Sequence, residues 1–312
     1  MTSVPSNVAV IPAINSNFSH HISAGLVDGT VITGQNSISH PTTLSRENPS
    51  EDGNANGSGS RDQVVPESPA THSRNELTHH DHIEDANLPG SLPTLRKQYI
   101  TFQKTHTADL PSRIARIWYI NPYGQEIRPA PNPKVLHSIE EASAVIYSIG
   151  SLYTSIIPCL ILRNVGEAIA TSPNLRYKIL ILNGSLDRET RWTSPSGEKT
   201  NEFSAKEFIG AIADACSYSR NHNCPVGEEE WKEYVTHVIH LAGEGTPRVQ
   251  KEELRALGID TVRIYGRRVG SGVGEGMVYD GTALAQALEA VMGSPRRDLR
   301  GDKSRRNTLG VS

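Results

Sequence analysis

The sequence predicts an α/β fold: a three-layer parallel sheet with helices on both faces, carrying a long disordered insertion. Three observations lead there. From Ile114 onward, short apolar runs of strand length alternate with segments whose apolar residues recur at helical spacing. One of those runs, Lys178-Ile179-Leu180-Ile181-Leu182, is apolar on consecutive positions, as a strand covered on both faces must be. Between about Pro41 and Thr94 the composition turns to Ser, Asn, Gly, Pro, Asp, Glu and His, too polar to offset the entropy of ordering the chain.

The elements follow in order. Val8 to Ile14 is a β-like run in which Pro12 ends ladder pairing. Leu26 to Gly34 reads as a hairpin turning at Asp28-Gly29. Ile114 to Ile120 is a strand that stops at the turn Asn121-Pro122-Tyr123-Gly124, and Ile139 to Ala142 is a short helix. Ala144 to Tyr147 is a buried strand, followed by a Gly-Ser turn and a helix over Ser155 to Ala170. After the Lys178 strand come a helix over Phe203 to Cys216 capped by Ser204 and a strand over Val235 to Leu241. Lys251 to Leu257 is a helix stopped by Gly258, Thr261 to Tyr265 is a strand, and Asp280 caps a last helix running to Met292. The domain plan is therefore 1–40 as the N-terminal part of the α/β unit, 41–94 as the insertion, 95–294 as the main unit, and 295–312 as a basic disordered tail.

Composition narrows the function classes. A net charge of −3 over 312 residues gives no reason to expect a nucleic-acid partner, and no apolar run is long enough to span a bilayer. Met1-Thr2-Ser3-Val4-Pro5 lacks the basic start and apolar core of a secretion signal. Cys159, Cys216 and Cys224 form neither an even framework nor a paired metal spacing; Cys159 is expected to pack as a small apolar residue and the other two to be free thiols. The expectation is a cytoplasmic protein with no membrane partner. A homo-oligomer stays open.

The chemistry concentrates where Ser148-Ile149-Gly150-Ser151-Leu152-Tyr153-Thr154-Ser155 leaves a strand for a helix. Gly150 permits a tight bend, Thr154 or Ser155 can cap the helix, and Pro158 sits where a missing N–H costs little. Such a turn aims several N–H groups and hydroxyls at one point and suits a phosphate. Gly150, Ser151, Thr154 and Ser155 are accordingly candidate phosphate-binding residues, with helix capping as the competing role of the same geometry. Asn183, at the next strand end, either orients a substrate group or stabilises a turn with Gly184. Glu189 and Asp187 are candidates for a divalent ion beside a diphosphate, or else solvated loop charges. Both loops fall at the carboxyl ends of successive strands, where ligands collect in layered sheets. His20-His21, His79-His80-Asp81-His82, His237 with His240, Arg267-Arg268 and the glycine-rich stretch 270–276 are each read as packing, surface or loop residues.

The run Asn132-Pro133 … Ala144 to Leu160, with its Gly-Ser-Leu-Tyr-Thr-Ser turn and a proline in the next helix, resembles the 2-phospho-L-lactate transferase (CofD) superfamily. It is nearest the branch of the bacterial gluconeogenesis factor (YvcK type). Asn183 at a strand end and Glu189-Thr190 a few residues on fit that pattern, although Arg188 replaces a glycine; Gln35 stands where a carboxylate is common. The likeness covers Val8 to Gln35 and roughly Ile114 to Val291, without the family's glycine-rich start. It implies a Rossmann-like fold and transfer of a phospholactyl-type group from a nucleotide diphosphate donor to a deazaflavin-like alcohol, with Mg²⁺. It implies, alternatively, a nucleotide- or nucleotide-sugar-binding regulator of carbon metabolism without chemistry, or an inactive truncated member. It names no catalytic residue on this chain. In the transferase and regulator readings the partner is a nucleotide diphosphate-linked small molecule, held by the residues around Ser151.

Overall fold

Residues 7–16, 18–40, 92, 109–193, 200–222, 224–269 and 276–293 are described by the structure, a computed structural model. They build two four-stranded sheets of different kinds. The first strands, β1 (His21–Leu26) and β2 (Val31–Thr33), are joined at Asp28-Gly29, where Gly29 takes φ 88° and the Asp28 carboxylate accepts from Thr30 N at 2.9 Å. That turn is the hairpin the Asp-Gly pair predicts. A short helix α1 (Gln35–Ser39) follows, and β3 (Ile114–Ile120) pairs antiparallel with β1. The Asn121 side chain then accepts from the amides of Tyr123 and Gln125, turning the chain into β4 (Glu126–Ile127). The strand order is β2-β1-β3-β4.

The second sheet is parallel. Asn132 caps α2 (Pro133–Glu141), its side chain accepting from Lys134 N, so this helix begins six residues before the expected Ile139. β5 (Ala144–Tyr147) matches its expected bounds. A π turn over Leu152–Ile156 leads into α3 (Ile157–Leu160) and, after a 76° bend, α4 (Val165–Thr171). β6 (Tyr177–Ile181), a hairpin of β7 (Arg191–Thr193) and β8 (Thr200–Glu202), and α5 (Ala205–Ser219) come next. The chain continues through β9 (His237–His240), α6 (Lys251–Ala256) and β10 (Asp260–Arg263). A second hairpin, β11 (Gly266–Val269) with β12 (Gly276–Tyr279), precedes α7 (Gly281–Met292), capped by Asp280 as expected.

The parallel order β10-β9-β6-β5 steps in one direction and contains no reversal. Right-handed crossovers then place every connecting helix on one face. That is where they lie: Leu180 of β6 and Val238 of β9 share a core with Val165 and Ile169 of α4, Phe208 and Ile212 of α5 and Leu254 of α6. Ile179 and Ile181 of β6 and Ile239 of β9 point the other way, against Ala287, Leu284 and Leu288 of α7. The parallel sheet thus has helices on both faces. The antiparallel sheet adds Ala24 and Ile117 to the larger core, an addition that strand-by-strand reading does not separate out.

Several expectations are corrected. Val8 to Ile14 forms no strand; Val10 is 78% exposed, and Pro12 removes a ladder donor from a run too short to spare one. The helix expected over Ser155 to Ala170 is broken at Asn164, which takes φ 65°. The break lets α4 close onto α5: Gly166 N donates to Ser219 Oγ at 2.7 Å, and a Cβ on Gly166 would sit 2.0 Å from the Cys216 carbonyl oxygen. Cys159 is exposed rather than packed, and Cys216 is the buried thiol. The insertion 41–94 apart from Leu92, the tail 295–312, the His79–His82 cluster and most of the glycine-rich stretch lie outside the described residues. No single described helix is long and apolar enough to cross a membrane.

Candidate functional site

The loops after β5 and β6 meet at the carboxyl edge of the parallel sheet. After Tyr147 the chain bends so tightly that Gly150 N donates to Ser148 O at 2.8 Å, and a Cβ on Gly150 would come within 2.7 Å of the Ser155 Cβ. Only glycine fits that approach. From the neighbouring strand end, Asn183 Nδ2 reaches Gly150 O at 3.5 Å and ties the two loops together. Beyond it, Gly184 is tied to β12, its carbonyl oxygen accepting from Met277 N at 2.8 Å. The hairpin of β11 and β12 therefore closes one side of this edge.

The turn does gather donors around an anion, but the anion belongs to the protein. Glu189 is 2% exposed. Its Oε2 accepts from Tyr153 N at 2.8 Å and Thr154 N at 3.1 Å; its Oε1 accepts from Thr154 Oγ1 at 2.5 Å and Ser39 Oγ at 2.9 Å. Four donors on two oxygens saturate an ionised carboxylate and occupy the first amides of the helical segment, where an anion is favoured. Burial pushes the Glu189 carboxyl above its ordinary range, while the bonds from Thr154, Ser39 and Tyr153 pull the other way.

Neighbouring residues brace this clamp. Asp187 caps the short 3₁₀ turn Arg188–Thr190, accepting from Glu189 N at 3.1 Å and Thr190 Oγ1 at 2.9 Å. Arg188 donates to Ser37 O at 2.9 Å and to Ile38 O, holding the end of α1 against the loop. The sheet edge, the N-terminal helix and the loop after β6 are thereby stapled at one point.

Each expected site residue can now be placed. Gly150 makes the bend, and Thr154 is buried with both its amide and its hydroxyl given to Glu189. Ser151 is half-buried and Ser155 exposed, and neither hydroxyl has a hydrogen-bond partner among the described residues. Asn183 is half-buried beside them. Glu189 is buried with both oxygens engaged by the protein, whereas Asp187 is half-buried and engages the loop through Oδ1. Four protein N–H and O–H donors surround the Glu189 carboxylate, a setting that does not fit Mg²⁺ at that side chain. Among the described residues no group of three His, Cys, Asp or Glu side chains is placed to hold a metal ion. Cavities lie along β3 and α5, one of them lined by Tyr153 and Ile157 of the segment after β5, and beside the β11–β12 hairpin. Ser39 and the bracing role of Arg188 were missed by sequence reasoning; the substitution of arginine at position 188 was the one visible signal.

The family described as 2-phospho-L-lactate transferase CofD matches residues 2–265. An uncharacterized Saccharomyces cerevisiae protein is 34% identical over 253 residues, covering 75% of this chain and 52% of the relative. The gluconeogenesis factor of Bacillus subtilis is 26% identical, covering 45% of this chain and 44% of the relative. A putative gluconeogenesis factor of Clostridium acetobutylicum is 28% identical over 42% of this chain and 28% of its own length. The chain thus spans about half, or less, of the curated relatives it matches. A crystal structure of a Bacillus halodurans member of the UPF0052 family overlays 88% of this chain and 59% of that one, at 17% identity and a TM-score of 0.46.

Proposed function

Because the chain belongs to the CofD family, we propose that it binds a nucleotide diphosphate-linked small molecule at the carboxyl edge of the parallel sheet. One observation supports this location above the others. The Ser151 and Ser155 hydroxyls and the Asn183 amide lie together at that edge, without a competing partner for either hydroxyl among the described residues, on a bend held by the Glu189 clamp. Glu189 has the role of a support: with its own charge it orders the backbone on which the open hydroxyls stand. Polar groups held in place before the ligand arrives lose little entropy on binding.

The family description supports phosphorus-group transfer as the chemistry: the oxygen of a deazaflavin-like alcohol bonds to the phosphorus of the phospholactyl-type group, the diphosphate P–O bond to the nucleotide breaks, nucleoside monophosphate leaves, and the alcohol proton passes to solvent. In that reading the residues around Ser151 position the diphosphate, and catalysis comes from alignment and charge neutralisation rather than from Glu189 as base. Magnesium would enter on the phosphate oxygens of the donor. A second reading, a nucleotide- or nucleotide-sugar-binding regulator without chemistry, is supported by the names of the bacterial relatives and by the engagement of the one buried carboxylate at the turn.

Titration calorimetry with GDP, a UDP-sugar and Mg²⁺, followed by phosphorus NMR with donor and acceptor, separates the readings. Saturable binding with a new phosphodiester resonance supports transfer. Saturable binding without one supports regulation. Absence of binding by every nucleotide diphosphate sinks both.

A further inference from the structure

The carboxyl ends of the other two parallel strands carry a concentration of positive charge. His240 and Arg263 are the last residues of β9 and β10 and stand opposite each other in register, so their backbones are about 4.8 Å apart. Val238, two residues before His240, packs into the helix-side core, which places the His240 and Arg263 side chains on the α6 face of the sheet. Helix α6 joins the two strands and begins at Lys251. Three basic side chains thereby share one corner, at the edge where ligands collect in layered sheets.

No described carboxylate offsets them. Arg263 and Lys251 are exposed, and neither side chain has an ion pair or a hydrogen bond among the described residues. Glu244 of the loop after β9 is taken by Arg268, and Glu253 of α6 by Lys206, at 3.0 Å each. His240 is half-buried, and its Nδ1 lies 3.0 Å from Leu241 O. A carbonyl oxygen only accepts, so Nδ1 carries the proton and Nε2 is the atom left to take up another. Among the described residues the charged side chains that act on this ring are Arg263 and Lys251, both positive. Burial pushes the His240 pKa below its ordinary value and the two cations push the same way, against the bond to Leu241 O. An anion in this corner turns a mutual repulsion into three attractions.

We propose that His240, Arg263 and Lys251 bind a phosphate-class dianion, free or as the monoester of a small molecule, at the carboxyl ends of β9 and β10. Arg263 and Lys251 supply fixed charge. His240 supplies an Nε2–H donor by taking up a proton as the anion arrives. The site is separate from the residues around Ser151 and stands whether or not a nucleotide binds there. A bound dianion favours the imidazolium and so raises the midpoint of His240. Between the free and the raised midpoint, affinity falls by up to about tenfold per pH unit as pH rises, because the anion then has to bring the proton with it.

The test is proton NMR of the histidine Cε1–H signals of the full chain, titrated with sodium sulfate, a dianion that does not itself titrate near neutral pH. Sodium chloride holds the ionic strength constant, and His240→Gln identifies the His240 signal by its loss. Sulfate is expected to shift that signal saturably and to raise its titration midpoint by about one pH unit. Arg263→Gln weakens sulfate binding roughly fivefold or more, the loss of one charge-assisted contact, while leaving the GDP titration as in the parent. Inorganic phosphate and glycerol phosphate run as parallel arms: tighter binding of the ester assigns the corner to a phosphorylated small molecule, and tighter binding of phosphate to the free ion. No saturation by any of the three at matched ionic strength overturns the proposal. So does a His240 midpoint unmoved by saturating sulfate, or parental affinity in Arg263→Gln. The midpoint is read on the unaltered protein and so does not depend on how well a variant folds, and its failure leaves the reading of the Ser151 edge standing.

Discussion

Replacing Glu189 by alanine and by glutamine distinguishes a structural clamp from a metal ligand. In Glu189→Ala the amides of Tyr153 and Thr154, both in buried residues, lose their acceptor. Each stranded N–H costs about 1–3 kcal/mol, so the alanine variant is expected to lose roughly 3–5 kcal/mol. The two hydroxyls add little to that loss, because they can rotate toward other acceptors. Glutamine fares differently. Its carbonyl oxygen can accept from both amides, while its NH₂ group donates to the Ser39 and Thr154 hydroxyls, each of which accepts as readily as it donates. Glu189→Gln should therefore lose only about 1 kcal/mol. Urea unfolding followed by far-UV circular dichroism measures both. Equal damage from the two variants, or a loss under about 1 kcal/mol in the alanine form, would refute the reasoning. The same pair carries a pH signature. Burial holds the Glu189 carboxyl above its ordinary 4.5, so across the interval from 4.5 up to the raised value the folded protein binds the proton more tightly than the unfolded chain. Stability contributed by this group therefore falls as pH rises through that interval, and the glutamine variant lacks the slope.

The remaining expectations concern packing, ligand contact and thiol access. Gly166→Ala forces a Cβ against the Cys216 carbonyl and should cost about 2–3 kcal/mol by separating α4 from α5; a thermal melt unchanged from the parent would show that the helices have room to part. Ser151→Ala should weaken GDP binding roughly fivefold with an unchanged unfolding midpoint, Asn183→Ala should weaken it to a similar degree with a small loss of stability from the severed Gly150 contact, and calorimetry showing parental affinity in both would remove the sheet edge as the nucleotide site. With a thiol-reactive chromophore, Cys224 should react first in the native protein. Cys216, buried and with its thiol pushed up to about 12, should react only on unfolding, and rapid native labelling of Cys216 would contradict its burial.

Local patterns were legible where local chemistry decides them. The β5 strand, the Ser204 and Asp280 caps, and the Asp28-Gly29 hairpin follow from residue type and spacing within a few positions. What was illegible depends on partners distant in sequence. Between Ser155 and Ala170 the only signals of a helix break are Asn164 and Gly166, and residue type alone does not say that the chain uses them. The reason for the break sits at Cys216 and Ser219, on a helix that α4 can approach only through Gly166. The partition into two sheets was hidden for the same reason, since β1 and β3 pair across the whole insertion.

The candidate site shows the same division more sharply. The turn at Gly150 and the acidic residue at 189 were both visible, and the inference that the turn attracts an anion was sound physics. A turn of this kind, however, does not specify whose anion it attracts. A carboxylate 35 residues further along the chain reaches the amides first, and a hydroxyl from α1, 150 residues away, completes its shell. Once a carboxylate occupies that position permanently, a second anion beside it is repelled unless it meets its own donors. Any phosphate at this edge must therefore rest on the outward groups, Ser151, Ser155 and Asn183, rather than on the helix-end amides. That requirement is what makes those three side chains, and not the backbone of Tyr153 and Thr154, the place where mutation should be read out in ligand affinity.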